Sequence, residues 1–239
     1  MSHFRLRSKH KFYTSFPTQQ IADRIERPLI PGDRFINLVL WSDECTFGSE
    51  GYFNVHNEHH YSVENPHCVK EIHTQGRFTV NVWAGILWRR IVGPYFFDGP
   101  VNAQRYVALI RDHLPRLLQD FPLDVTTNMW FMQDGAPAHT SREVRQLLDR
   151  IFPQRWIGLF GPVEWAPRTP DGIVCDFYLW PTVKERLPRR VPINAEELRG
   201  WITDVIAAIT PNEIQRTYRN LIRRMELLSD HGRHIEQLL

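Results

Sequence analysis

The stretch Trp130-Phe131-Met132-Gln133-Asp134-Gly135-Ala136-Pro137-Ala138-His139-Thr140 constrains this chain most. An apolar run stops on a carboxylate, and a Gly/Pro turn follows at once. A buried strand from Met129 that delivers Asp134 at its C-terminal tip accounts for that order. A helix then opens, with Thr140 as N-cap and Glu143 reaching back in a capping box. It runs to about Ile151 and buries Val144, Leu147, Leu148 and Ile151.

The flanking sequence supplies the neighbours of that strand. Phe35 to Asp43 reads as a largely buried strand that also ends on a carboxylate. Asp43 and Glu44 are adjacent, so strand alternation sends them to opposite faces and only one serves a given site. Gly48 to Gly51 reads as a hairpin turn and Tyr52 to Tyr61 as the next strand. Phe78 to Leu87 is a strong β run, rich in aromatic and branched residues. Ile91 to Phe97 follows after a short turn, so these two pair antiparallel. Asn102 to Leu118 is a helix, with Val107, Ile110, Leu114, Leu117 and Leu118 at helical spacing to cover a sheet face. Phe152 to Pro170 is a connector with a short strand near Val163-Glu164-Trp165. After the Pro170-Asp171-Gly172 turn, a helix carries Asp176, Phe177, Trp180 and Val183. Asn194 with Glu197 starts a helix to Ile209, and Pro211 to Leu228 forms a last amphipathic one. A meander followed by β-α-β units defines an α/β domain with a mixed central sheet flanked by helices.

A chain of 239 residues is enough for one sizeable α/β domain. The expected division is a basic N-terminal arm or linker over 1–34, with a helix over Arg5 to Phe16, a main domain over 35–190, and a helical extension of it over 191–239. The net charge of +2 decides little. The cations are grouped: Arg5, Arg7, Lys9 and Lys11; Lys184, Arg186, Arg189 and Arg190; Arg216, Arg219, Arg223 and Arg224. Each group suits phosphate, or else is a solvated helix face. Cys45, Cys68 and Cys175 have no CxxC spacing and suggest reduced thiols inside a cell. No apolar run approaches the ~18 residues of a membrane span, and the N-terminus lacks the apolar segment of a secretory signal. No membrane partner is expected. His56, His59, His60, His67 and His73, with Cys45 and Cys68, lack zinc-finger spacing and read as surface histidines on a hairpin rather than a zinc site.

Asp43, Asp134 and Asp176 remain as a candidate constellation. If the strands of Asp43 and Asp134 lie side by side, the two acids converge at one rim. A helix packed on the sheet brings Asp176 to the same point. Three carboxylates cannot stay ionised together without a counter-charge. Mg²⁺ takes one or two carboxylates each and leaves room for phosphate. Two such ions roughly 3.5–4 Å apart activate an attacking oxygen and stabilise a leaving one. The bland alternative is that these acids are turn formers at strand ends.

WSDECTF, NVWAGI, FMQDGAPAHT and RTPDGIVCDFYLW, in this order, resemble the catalytic domain of mariner-superfamily DDE transposases, from about Phe35 to Glu185. The resemblance implies an RNase H-like fold and catalytic, metal-binding roles for Asp43, Asp134 and Asp176. It implies two Mg²⁺ ions, with Mn²⁺ as substitute, action in the nucleus, and DNA (transposon ends and target) as partner. A second copy of the chain is a further candidate partner. Asp171 matches the family's Pro-Asp turn, where it caps a helix, and Asp176 matches the ligand five residues later. The family has Leu and then Pro where this chain has Gly172-Ile173-Val174-Cys175. Losing that Pro removes a fixed φ at the first helical turn, so Asp176 is expected to be less firmly aimed. Family members carry paired helix-turn-helix modules before this domain, and the residues ahead of Phe35 are too few for two of them. The expectation is a fragment, a truncated copy, or a domain adopted for host use.

The implied activity is metal-dependent hydrolysis of a DNA phosphodiester, followed by attack of the freed 3′-hydroxyl on target DNA. The alternatives are a DNA- or chromatin-binding descendant without activity, and an RNase H-like nuclease acting on RNA–DNA hybrids. The DNA-contact candidates are His139, Trp165, Arg168 and Lys184. His139, at the helix entry, approaches phosphate or a metal's water, or else makes a local bond. Trp165 and Arg168 hold a base or strand end, or else pack on the sheet.

Overall fold

The computed structural model describes residues 28–30, 33–49, 78–165 and 172–231, with side chains described between 35 and 225. Pro28–Ile30 and Asp33–Arg34 form a two-stranded ribbon ahead of the main sheet. That sheet has six strands. β1 (Val39–Gly48), β2 (Thr79–Leu87) and β3 (Arg90–Phe97) form an antiparallel meander. β4 (Trp130–Met132), β5 (Trp156–Gly158) and β6 (Val163–Glu164) add in parallel on the other side of β1. The spatial order is β3-β2-β1-β4-β5-β6, so β1 sits where antiparallel pairing changes to parallel.

Alternation along β1 explains the two-sided core. Leu40 points to one face, where Tyr106, Ile110 and Leu114 of α1 and Val144 and Leu148 of α3 cover it together with Trp83 and Phe131. Here α1 joins Ala103–Ala108, a π-helical Leu109–His113 and Leu114–Leu117; α2 is Leu123–Asn128 and α3 is Arg142–Ile151. Val39 and Trp41 point to the other face, covered by α4, α5 and α6. α4 joins a π-helical Cys175–Leu179 to Trp180–Arg186, α5 is Ala195–Ala207 and α6 is Pro211–His231. Caps fix several starts: Asn102 and Asn194 accept from the third backbone N–H beyond them, as N-caps do. Among the described residues no helix is long and apolar enough to cross a membrane.

The structure moves several expected boundaries. Phe35–Leu38 is one helical turn, not strand, and β1 runs past Asp43 to Gly48 because β2 pairs with it to that end. β4 stops at Met132, two residues short of Asp134. Ser141, not Thr140, caps α3, its Oγ accepting from the Val144 N–H; the Thr140 hydroxyl donates to the Pro137 carbonyl instead. Ile151 is exposed rather than buried, at an open cavity of about 590 Å³ that it lines with Leu114, Leu118 and Met129. Trp156–Gly158 is a strand inside what reads as connector. The expected Arg5–Phe16 helix, the turn beyond Ser49, the Tyr52–Tyr61 strand, the five clustered histidines, Cys68, Arg168 and Asp171 lie outside the described residues.

Candidate active site

The register of β1 and β4 builds the rim. Trp41 pairs with Met132, so Asp43 and Asp134, each two residues further on, follow side by side. Asp43 is not at a strand tip: it pairs with Ala84 of β2, while the parallel pairing on its other flank has ended. Its Oδ2 accepts a hydrogen bond from the Trp180 indole N–H at 2.8 Å. Burial holds its carboxyl well above the ordinary range, helped by the nearby carboxyls of Asp176 and Glu44. The Trp180 bond and the Glu44 backbone N–H offset this in part. A carboxyl whose ionisation is opposed by a neighbouring acid is a place where a cation is stabilised.

Asp176 comes to Asp43 on the first turn of α4. That turn is π-helical, a form that often marks functional sites. The Asp176 and Phe177 N–H groups both donate to the Ile173 carbonyl, at 3.0 and 3.2 Å. Cys175 is fully buried and its thiol donates to the Trp41 carbonyl at 3.1 Å, which pins the helix to β1 two residues before Asp43. Burial pushes that thiol's pKa well up, so it stays protonated as a donor. These bonds act where the resemblance would have placed a proline.

Asp134 is held by the turn and helix entry that follow it. Its Oδ1 accepts from the Ala136 N–H at 3.0 Å and from His139 Nδ1 at 2.5 Å. His139 Nε2 lies 3.1 Å from Glu44 Oε2. The imidazole is buried, and stacks on the Tyr106 ring with centroids 4.1 Å apart. Burial opposes its protonation, but the Glu44 and Asp134 carboxylates outweigh burial and push its pKa up to about 10. Burial likewise works against Asp134, and His139 and the Ala136 N–H overcome it to hold that carboxyl below its ordinary range. His139 is therefore an imidazolium between two carboxylates. Glu44 is on the face opposite Asp43, as alternation requires. Among the described residues, no three His, Cys, Asp or Glu side chains stand grouped to hold a metal ion.

The DNA-contact candidates divide. His139 takes the local-bond alternative: its ring is 2% exposed, with both nitrogens turned to carboxylates. Trp165 takes the packing alternative: it is 3% exposed and packs edge-on against Trp41 at 6.4 Å, inside the core. Lys184 is exposed, with Nζ 6.0 Å above the Phe47 ring. Arg216, Arg219 and Arg223 are exposed along α6. Sequence reasoning missed Glu44, Cys175, Tyr106 and the Trp180 indole as parts of the site. Alternation put Glu44 opposite Asp43, but only the packing of α1 shows what it meets there.

No family model and no curated protein matches this sequence. Its fold matches solved structures of a mariner transposase. The Mos1 mariner paired end complex with Mn aligns at TM-score 0.67 and 20% identity, over 90% of this chain and 60% of that one. The Mos1 transposase catalytic domain with Raltegravir and Mg aligns at 0.64 and 19%, over 90% of this chain and 91% of that one. The Mos1 strand transfer complex aligns at 0.65 and 20%, over 92% and 61%. This chain therefore spans well under two thirds of the longer transposase chains, and nearly all of the isolated catalytic domain. With its mixed six-stranded sheet between two helical layers, the chain has the RNase H-like fold of a mariner-type transposase catalytic domain.

Proposed function

We propose that this chain is a transposase-derived DDE domain that cleaves and joins DNA phosphodiesters with divalent metal ions. One observation carries the reading. At the rim where this fold's β1 outruns β4, the half-buried Asp43 carboxyl lies beside that of Asp176, which disfavours its charge, with Asp134 next along the sheet. Hard oxygen donors of this kind suit Mg²⁺ or Mn²⁺. Solved neighbours of the fold include catalytic domains with Mn or Mg, a paired-end complex with a left transposon end and a strand transfer complex.

Asp43, Asp134 and Asp176 would hold the ions. Bound there, the metal would activate the attacking oxygen and stabilise the leaving one. Trp180 orients Asp43, and Cys175 fixes the helix that carries Asp176. The attacking groups are water and then a 3′-hydroxyl, so no side chain need bond covalently to DNA. Transposon ends and target DNA are the substrates, a second copy of the chain is the expected partner, and the nucleus is the expected place of action.

The test uses a supercoiled plasmid carrying the element's own terminal repeats. Wild-type protein is expected to nick it with Mg²⁺ or Mn²⁺ and not with EDTA. Asp134→Asn is expected to abolish nicking, and nicking that persists undiminished would overturn the assignment. A second reading, a DNA-binding descendant without catalysis, draws support from the engagement of Asp134 by His139. Calorimetric titration with Mg²⁺ separates the two, since a binding-only protein has no specific divalent site.

A further inference from the structure

Backbone pairing between β1 and β4 ends at Trp41 and Met132, yet Asp43, Glu44 and Asp134 all lie beyond that point. Side chains hold the two chain segments together there. The first stitch is Ser42 Oγ, which donates to the Met132 carbonyl at 2.7 Å. The second runs from Glu44 through His139 to Asp134. We propose that His139 is a positioning residue: it ties Asp134 to Glu44 and so fixes which oxygen Asp134 presents at the rim. The proposal rests on Asp134 as a metal-binding residue.

The geometry is specific. Among the described residues both hydrogen bonds to the Asp134 carboxylate fall on Oδ1, which leaves Oδ2 available to a cation. The histidine has little freedom of its own. Its N–H donates to the Ala136 carbonyl at 2.9 Å, its carbonyl accepts from Gln133 Nε2 at 3.1 Å, and its ring lies on Tyr106. Glu44 Oε1 and His139 Nε2 are both buried without a hydrogen-bond partner among the described residues, so the link between Nε2 and Glu44 Oε2 is a close 3.1 Å contact of opposite polarity rather than an aligned hydrogen bond. Tyr106 also comes from the first helical layer, so the tie couples that layer to the rim. A carboxylate aimed by such a partner binds metal more tightly, because less of its freedom is lost on binding.

Two amides dissect the tie. Asn places its Nδ2 where imidazole has Nδ1, so His139→Asn keeps a donor to Asp134 and gives up Glu44. Gln places its Nε2 where imidazole has Nε2, so His139→Gln keeps the Glu44 contact and gives up Asp134. Binding of Mn²⁺ alone is measured by electron paramagnetic resonance of the free ion, with thermal melts as the check on folding. His139→Gln is expected to weaken Mn²⁺ binding by about 10–100-fold, and His139→Asn to recover most of it. Equal binding by wild type and His139→Gln, or equal loss in both variants, would overturn the positioning role alone. If neither variant folds, Glu44→Gln is measured instead; it removes the anchor while leaving the bond to Asp134. Weakened Mn²⁺ binding in it supports the tie, and unchanged binding overturns it. Absence of Mn²⁺ binding by the wild-type protein, or full binding by Asp134→Asn, would overturn the metal reading and this inference with it.

Discussion

Burial and the carboxyls of Asp176 and Glu44 hold Asp43 well above its ordinary pKa of 3.8. Proton counting gives the sign of the consequence. Between the unfolded value and the higher folded one, the folded protein binds more protons than the unfolded chain. Stability from this group is therefore fully present below about pH 4 and is lost as the pH rises toward the folded value. Asp43→Asn keeps an oxygen for the Trp180 indole and removes the charge. In EDTA it is expected to melt above wild type at pH 7, with the gap closing toward pH 4. Mg²⁺ is expected to raise the wild-type Tm and leave the variant's unchanged. A variant that melts below wild type in EDTA at pH 7 would refute this. That the runs leading to Asp43 and Asp134 are strands was legible in the sequence, because two apolar runs each end near an acid; that they pair in parallel is shown by the sheet. The roles of His139 and Trp165 were not legible. Each follows a turn or lies in a connector, and its burial is decided by residues far away in sequence, Tyr106 for one and Trp41 for the other.

Hydrophobic periodicity placed α1, α3, α4, α5 and α6 and most strands of the main sheet; it missed the short α2 and the helical turn at Phe35–Leu38, and it failed where pairing rather than composition sets the limit. Phe35 to Leu40 is one apolar run, and such a run suits a buried helical turn as well as a buried strand. The end of β1 is set by β2, which pairs with it as far as Gly48. The π-turn that opens α4 leaves no mark in the spacing of apolar residues. Gly85 of β2 shows how closely these elements fit. It pairs with Ser42, and a Cβ there would lie 2.6 Å from Leu40 Cδ1 and 3.2 Å from the Trp41 carbonyl oxygen. The second contact matters for the site, because that carbonyl accepts the Cys175 thiol bond. Gly85→Ala is expected to cost about 1–3 kcal/mol by overpacking. A urea melt should show the lower midpoint with an unchanged m-value. A midpoint equal to wild type would mean that β1 yields more easily than a packed central strand should.

The two helices beyond Arg190 are part of the same core as the rim. Leu198, Ile202, Ile206, Ile209, Ile214, Tyr218, Leu221 and Met225 are buried in one cluster with Trp41, Ala84, Cys175 and Trp180. Polar contacts follow the same route: Arg186 pairs with Glu213, and the Arg224 guanidinium lies 4.2 Å over the Phe177 ring. Phe177 is the residue after Asp176, so α6 backs the turn that carries the third acid. Burying a large apolar side chain contributes about 1.5–3 kcal/mol. Eight of them together rival the whole net stability of a domain, about 5–15 kcal/mol. A chain ending at Arg190 is therefore expected to lose its fixed packing while β1–β3 and α1 still collapse on their own face. Far-UV circular dichroism should be largely retained, near-UV signals lost and dye binding to exposed apolar surface gained. Retention of a cooperative thermal transition in the shortened chain would show that α5 and α6 merely decorate the sheet. In that case the aim of Asp176 would rest on the Cys175 and Ile173 bonds alone.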